Sequence, residues 1–531
     1  MKKITLLNFL LAISIGFSAF AQTTVYVSAT GGGDGTSESS PLGNFGNAMN
    51  QITSEGDRLI IIGTISPNGQ NLTSKSFGFT IEGLNTNSVL SLTSSSRLFT
   101  INGATSANVT FKNLTFLNNN TTLAGGSVFF NNAAGATATF ENCTFNGNSV
   151  TNNAGGGAIW FANGTLNITN STFDSNSSSD EAGAIFGQSG TITITNSTFD
   201  TNSSPTKGGA IFNANANLTI IDSSFENNTA TTNGGAIVAG NTGDLTVSGS
   251  LFDGNSATKG GAIAVLASGA DLVLDTSTFV NNTVSSNGGG ALYLAGTNAN
   301  SSITNTTIFN NSVTFTSLNQ STGGGIRIEG ARPFTITNSL IYGNFVSDGS
   351  ETSPSDIGGP PAVELTLINS LTQKIEPVLV QVGDPDGNDV FSTSITDADL
   401  STSNLRFNEE LGFVIYDIAS SEDDTPIDFG SDGNDAGSWD SLYDLLSTDY
   451  LETDDQTFMI YYDKRGKNLK FDSSEKTLME IHIYNIIGAK VFGKRKMETP
   501  DVVNLGSLTN GIYIIRAFIN ENIYTKKFII Y

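Results

Sequence analysis

The sequence predicts an all-β molecule, a solenoid of stacked coils followed by a small antiparallel β-sandwich. Three observations carry that expectation. Seven anchors, Phe116, Phe145, Phe173, Phe199, Phe225, Phe252 and Phe279, are separated by 29, 28, 26, 26, 27 and 27 residues. A second ladder, Ile159, Ile185, Ile211, Ile237 and Ile263, runs in phase at 26-residue spacing, four of its members in the string GGAI and Ile185 in AGAI. The last 75 residues then change character, becoming rich in Lys and Tyr and alternating with period two. A period in the twenties means repeats that bury their apolar faces only against neighbours.

Composition agrees and excludes much chemistry. The chain has 531 residues and 55.5 kDa, with 58 Gly, 14% charged residues and a formal net charge of −25. That charge argues against nucleic acid or anionic lipid as a partner, because phosphate neutralisation needs clustered Lys and Arg. Residues 22–370 hold 21 acids and 8 bases, 375–455 hold 21 acids and only Arg406, and 456–531 hold 7 acids and 12 bases. Cys143 and His482 are the sole Cys and His. One chain therefore builds no Ser-His-Asp triad, Cys-His dyad, Cys-rich or His-rich zinc site, or intrachain disulfide.

In chain order, Lys2 and Lys3 precede an apolar run ending in Ala19, Phe20 and Ala21, which reads as a secretory signal peptide over residues 1–21. A retained membrane anchor is the alternative, and no later stretch reaches the ~18 apolar residues of a membrane span. Residues 22–58 read as a strand and an amphipathic helix, with Phe45, Met49 and Ile52 spaced to cover an open end. Residues 59–370 are the repeats. In TITITNSTF, Ile192 and Ile194 point one way and Thr191, Thr193 and Thr195 the other, a strand with one face in a core. Gly pairs before each Ile supply positive-φ turns and close backbone approach. Three such strands per coil make a parallel β-helix that grows by about 4.8 Å per coil.

The GGAI and FxxN strings resemble the repeats of polymorphic outer-membrane proteins and the pectate-lyase-like right-handed parallel β-helix. The resemblance spans 22 to about 440. It includes a closing turn at Thr425, Pro426, Ile427, Asp428, Asp435, Gly437 and Trp439, within terminal coils and an acidic cap at 371–440. Ile308 and Ile341 continue the anchor series at wider spacing, and Asn148, Asn176, Asn202, Asn228, Asn255, Asn282, Asn311 and Asn344 each follow an anchor by three residues. They read as a ladder at a bend, with amides bonding coil to coil and the Asn backbone tolerating the left-handed region; ligand binding is the other reading.

After a linker at 441–455, residues 456–531 carry EIHIYNIIGAKVF, a GIY turn at Gly511, Ile512 and Tyr513, and the terminal Lys526, Lys527 and Phe528. This arrangement resembles the C-terminal sorting domain of type IX (Por) secretion substrates. Tyr461, Tyr462 and Asp463 depart from that family's usual Tyr-Pro-Asn-Pro opening. The resemblance implies contact with the type IX secretion machinery and a place outside a Gram-negative cell, secreted or at its outer surface.

Candidate sites are few. In DPDGNDV, Asp384, Asp386, Asn388 and Asp389 place oxygen ligands at alternate positions around Gly387, as at the start of a Ca²⁺ loop, although no Glu stands at the twelfth place. A solvated acidic turn is the alternative. Lys207 and Lys259 sit just before Gly pairs two coils apart, with Asn233 between them and Glu181 one coil before Lys207. A carboxylate beside Lys207 would keep it charged, the opposite of what a lyase base requires. The paired carboxylates of a glycoside hydrolase are not found on the coils. The sequence thus assigns no catalytic residue and no organic cofactor. It favours a non-enzymatic, adhesin-like or interaction scaffold for neutral glycans or surface proteins, with a polysaccharide lyase as the first alternative. An ice-binding face is the second, suggested by outward Thr at 193, 195, 219, 246, 335 and 337 and weakened where Asn167, Ile221, Ser248 and Asp275 interrupt the columns.

Overall fold

A computed structural model describes residues 22–382 apart from short breaks, the strand pair Leu405–Asn408 and Phe413–Tyr416, and the strands between 458 and 530. Residues 1–21, the Asp384 loop and the 425–439 closing turn lie outside the described residues.

One coil shows how the sequence closes on itself. Thr191–Thr195 runs in the first sheet with Ile192 and Ile194 buried inward. Asn196 takes φ 53°, and the chain turns into Thr198–Asp200 of the second sheet, where Phe199 is fully buried. Thr201 turns again at φ 57°. Asn202 and a two-residue strand, Ser203–Ser204, follow in the third sheet. Gly208 and Gly209 then lead into Ile211–Asn213 of the fourth. Stacking such coils gives parallel sheets of 14, 12, 10 and 12 strands among the described residues, in that order around the coil, save that the third ends in an antiparallel hairpin, Phe345–Ser347 against Thr352–Pro354. The coil therefore has a fourth short strand beyond the three expected. Its two residues are too few to show a period.

The anchors form one continuous stack. Phe173, Phe199 and Phe225 lie with ring centroids 4.6 and 4.7 Å apart and planes within 4° of parallel. In-register parallel pairing, Phe173 to Phe199 to Phe225, fixes that geometry.

The Asn column is a hydrogen-bond ladder. Asn228 is fully buried. Its Oδ1 accepts from the Asn202 backbone N–H at 3.0 Å and from Asn202 Nδ2 at 2.9 Å. Its Nδ2 donates to the Phe199 carbonyl at 2.9 Å and to Asn255 Oδ1 at 3.0 Å. The ladder ends where Asn344 donates to Asp356 Oδ1. The ladder residues themselves do not take the left-handed conformation the sequence suggested. The residue before each does: Ser175, Thr201, Asn227, Asn281 and Asn310 all have φ between 51° and 57°. The amide is thus held for its bonds, and the backbone cost falls on its neighbour.

A second ladder runs beside the first. Ser171, Ser197, Ser223 and Ser250 each donate a backbone N–H to the hydroxyl of the next coil, and each hydroxyl donates to the carbonyl two residues back. Cys143 opens this column, donating its N–H to Ser171 Oγ at 3.1 Å. Burial pushes its thiol up to about 12, which removes it from nucleophilic chemistry.

The Gly pair divides its labour. Gly208 supplies φ +66°, while a Cβ on Gly209 would meet the Gly235 carbonyl oxygen and lie 2.6 Å from the Thr229 nitrogen. At the entrance, the helix Phe45–Gln51 is capped by Asn44 Oδ1, which accepts from the Asn47 N–H. It lays Phe45 5.7 Å from Phe99 across the end of the stack.

The C-terminal residues form seven described antiparallel strands. Phe458–Asp463, Asn468–Ser473 and Asp501–Asn504 make one sheet. Lys490–Glu498, Leu478–Asn485, Gly511–Ile519 and Asn522–Ile530 make the other. Leu469, Ile481, Ile483, Val503 and Leu505 are buried there.

Candidate functional site

The fourth sheet turns each GGAI Ile inward, so the residue after it points outward. In register these outward residues run from Phe129 and Trp160 through Phe186, Phe212, Val238 and Ala264 to Tyr293 and Arg327. Trp160 stacks on Phe186 with centroids 3.9 Å apart. Phe186, Phe212, Val238 and Tyr293 are buried in a seam of their own with Ala182, Ala214 and Ala264, whereas Phe129 and Trp160 are half-buried.

Cations lie along this column. The Arg97 guanidinium sits 4.1 Å from the Phe129 ring centroid, Lys207 Nζ 5.1 Å from that of Phe212, and Lys259 Nζ 4.7 Å from that of Tyr293. Lys207 and Lys259 occupy equivalent places bridged through Asn233. Lys207 also pairs with Glu181 at 2.9 Å, which neutralises it. Lys259 takes no such carboxylate among the described residues. Its Nζ donates to the Tyr293 hydroxyl at 3.1 Å. That hydroxyl donates to Glu329 Oε2 at 2.5 Å, and Glu329 Oε1 stands 3.4 Å from Arg327 Nη2. Burial, reinforced by the Glu329 carboxylate, holds the Tyr293 phenol well above its ordinary range, so it donates and does not ionise. The cluster can orient an anion or a hydroxyl; its described groups include no thiol or imidazole nucleophile.

The Asp384, Asp386, Asn388 and Asp389 loop lies outside the described residues. Among the described residues, no three His, Cys, Asp or Glu converge on a metal position. Thr193, Thr219 and Thr246 do align on the outer face of the first sheet, but Asn167 precedes them and Val273 follows, and Thr195 faces Ile221. No helix among the described residues is long and apolar enough to cross a membrane.

The family described as the right-handed β-helix region matches residues 99–279 and 156–356, and the secretion-system C-terminal sorting domain matches 465–531. This is a right-handed β-helix chain with a sorting tail. The tail marks the protein for the type IX (Por) machinery and for the cell surface or the medium, as in Gram-negative cells. No curated protein and no solved structure matches the chain.

Sequence reasoning missed Trp160, Tyr293, Arg327 and Glu329. The signal was the residue after each GGAI Ile, aromatic in Trp160, Phe186 and Phe212 although its neighbour already fills the core.

Proposed function

We propose that the protein is a secreted, adhesin-like β-helix scaffold that holds glycan or surface-protein ligands on the outer face of its fourth sheet. The observation that supports this reading is the outward column of aromatic rings and cations, beginning at the half-buried Phe129 and Trp160, because rings of this kind take the apolar faces of sugars. Glycan-array binding by the full chain, weakened by Trp160→Ala with circular dichroism unchanged, is the expected result. An array without a hit, or binding indifferent to Trp160→Ala and Phe129→Ala, would remove the column from the function.

Export in this reading uses cleavage after Ala21 and the tail from 456. Deleting 456–531 is expected to leave the protein in the periplasm; unchanged surface or medium levels would refute it. Any Ca²⁺ the chain takes is assigned to Asp384, Asp386, Asn388 and Asp389, where close acids with no nearby base repel one another. Calorimetry should show a Ca²⁺ heat that disappears in Asp386→Ala, and equal heats would exclude the loop.

Polysaccharide β-elimination is the second reading, favoured by the convergence of Lys259, Tyr293, Glu329 and Arg327. Unsaturated product detected by absorbance and abolished by Lys259→Ala would promote it over the scaffold.

A further inference from the structure

The third sheet carries the regular hydroxyl face that the first sheet lacks. On the outer side of its strands Ser149, Ser177, Ser203, Thr229, Ser256, Thr283 and Ser312 follow one another in register, bounded by Asn120 before and Phe345 after. The residue after each turns inward and differs from coil to coil, as Val150, Ser204, Ala257 and Val284 show. The position that packs is the one that varies, so packing does not account for the constant hydroxyl. A second set stands two residues further along the chain, at Thr151, Ser179, Thr231, Thr258 and Ser285, broken by Pro205. Coil rise and strand rise place the two sets on a grid of about 4.8 Å by about 6.6 Å.

The grid is held rigidly and is free of charge. Ser203 and Thr229 directly follow the ladder residues Asn202 and Asn228, and their own N–H groups donate to the Asn176 and Asn202 carbonyls at 2.9 Å. In the second set, Thr151 and Thr258 donate their hydroxyls to the Thr121 and Thr231 carbonyls, which fixes the side chains and leaves oxygen lone pairs for water. The spacing therefore exists before any ligand arrives. Neither set contains Asp, Glu, Lys or Arg, whereas the neighbouring second sheet turns Asp174, Asp200, Glu226 and Asp253 outward in register. A charge draws water radially about itself; a neutral hydroxyl both donates and accepts, as a water molecule in a lattice does.

We propose that the outer face of the third sheet binds ice. Water held at these hydroxyls inherits their grid, which lies near the spacing of oxygen atoms on a prism face of ice, so the protein-held layer joins the crystal surface. A match sustained from Ser149 to Ser312 profits a periodic solid above other ligands, because each further coil adds contacts to a face already in place. This goes beyond the fourth-sheet reading and does not rest on it, the two faces belonging to different sheets.

The test is thermal hysteresis and inhibition of ice recrystallisation by the full chain. Both activities are expected in the wild type and should be lost in Thr229→Tyr and in Thr231→Tyr, exposed positions where a ring props the face away from the crystal. Thr229→Ser, which keeps the hydroxyl, should retain them. Thr219→Tyr, on the outer face of the first sheet, and Trp160→Ala, on the fourth, should leave them unchanged, with circular dichroism the same for all variants. A wild type without either activity would overturn the proposal. So would activity indifferent to Thr229→Tyr, or lost as fully in Thr219→Tyr. Glycan binding through Trp160 that persists in Thr229→Tyr would leave the scaffold reading standing whichever way the ice assay falls.

Discussion

Asn228→Ala is expected to cost about 3–6 kcal/mol of unfolding free energy. The side chain serves three coils at once, accepting from the Asn202 backbone N–H and Nδ2 and donating to the Phe199 carbonyl and Asn255 Oδ1. Alanine leaves these neighbours in a region without solvent access, and no water replaces the amide without opening the stack. Each orphaned buried group costs about 1–3 kcal/mol. Denaturant titration of the variant is the measurement, with Asn217→Ala as the control because Asn217 is exposed in its strand. Equal midpoints for the two variants would show that the ladder does not hold the coils together.

Phe199→Ala should cost about 3–5 kcal/mol by a different route. Phe199 is fully buried between Phe173 and Phe225, each less than 5 Å away by ring centroid. In-register backbone pairing on both sides, Phe173 to Phe199 and Phe199 to Phe225, prevents the coils from collapsing into the space a ring vacates. Phe199→Leu, which keeps most of the volume, should recover much of the loss. A loss below about 1 kcal/mol for alanine would mean that the stack relaxes, contrary to its pairing.

Much of this architecture is legible in the residues. The Phe and Ile ladders announce the coil, because identical side chains at a fixed period can all be buried only by stacking. The Asn column announces its own bonds for the same reason. The third sheet was hidden, since Ser203–Ser204 offers two residues and no alternation. The Ser ladder was hidden because a hydroxyl in a Ser-rich chain looks like surface until its burial is known. The sequence points to positive φ at the ladder Asn, whereas Thr201 and its equivalents carry it. Asn tolerates that conformation more readily than Thr, but here its buried amide bonds decide its place.

The outer cluster was less legible still. After Ile263 the inward positions fall at Leu292 and Ile326, steps of 29 and 34 where earlier ones were 26. Insertions carry Tyr293 and Arg327 out of phase in sequence while strand pairing keeps them in phase in space. Glu329 then lies two residues beyond Arg327, and only the folded coil brings it to the Tyr293 hydroxyl.

The uniform 26-residue step between Ile185 and Ile237 has a consequence for how such a molecule changes size. Each anchor ring, ladder amide and ladder hydroxyl in that stretch meets its own kind above and below, so the coil beginning at Ile185 and the one beginning at Ile211 share those rungs on their upper and lower surfaces. Excising or duplicating one such block joins like to like along these three ladders, and recombination between repeats yields a shorter or longer rod that keeps them. The length of the solenoid is thereby uncoupled from the chemistry of the outer column. One can drift in steps of about 4.8 Å while the other is kept.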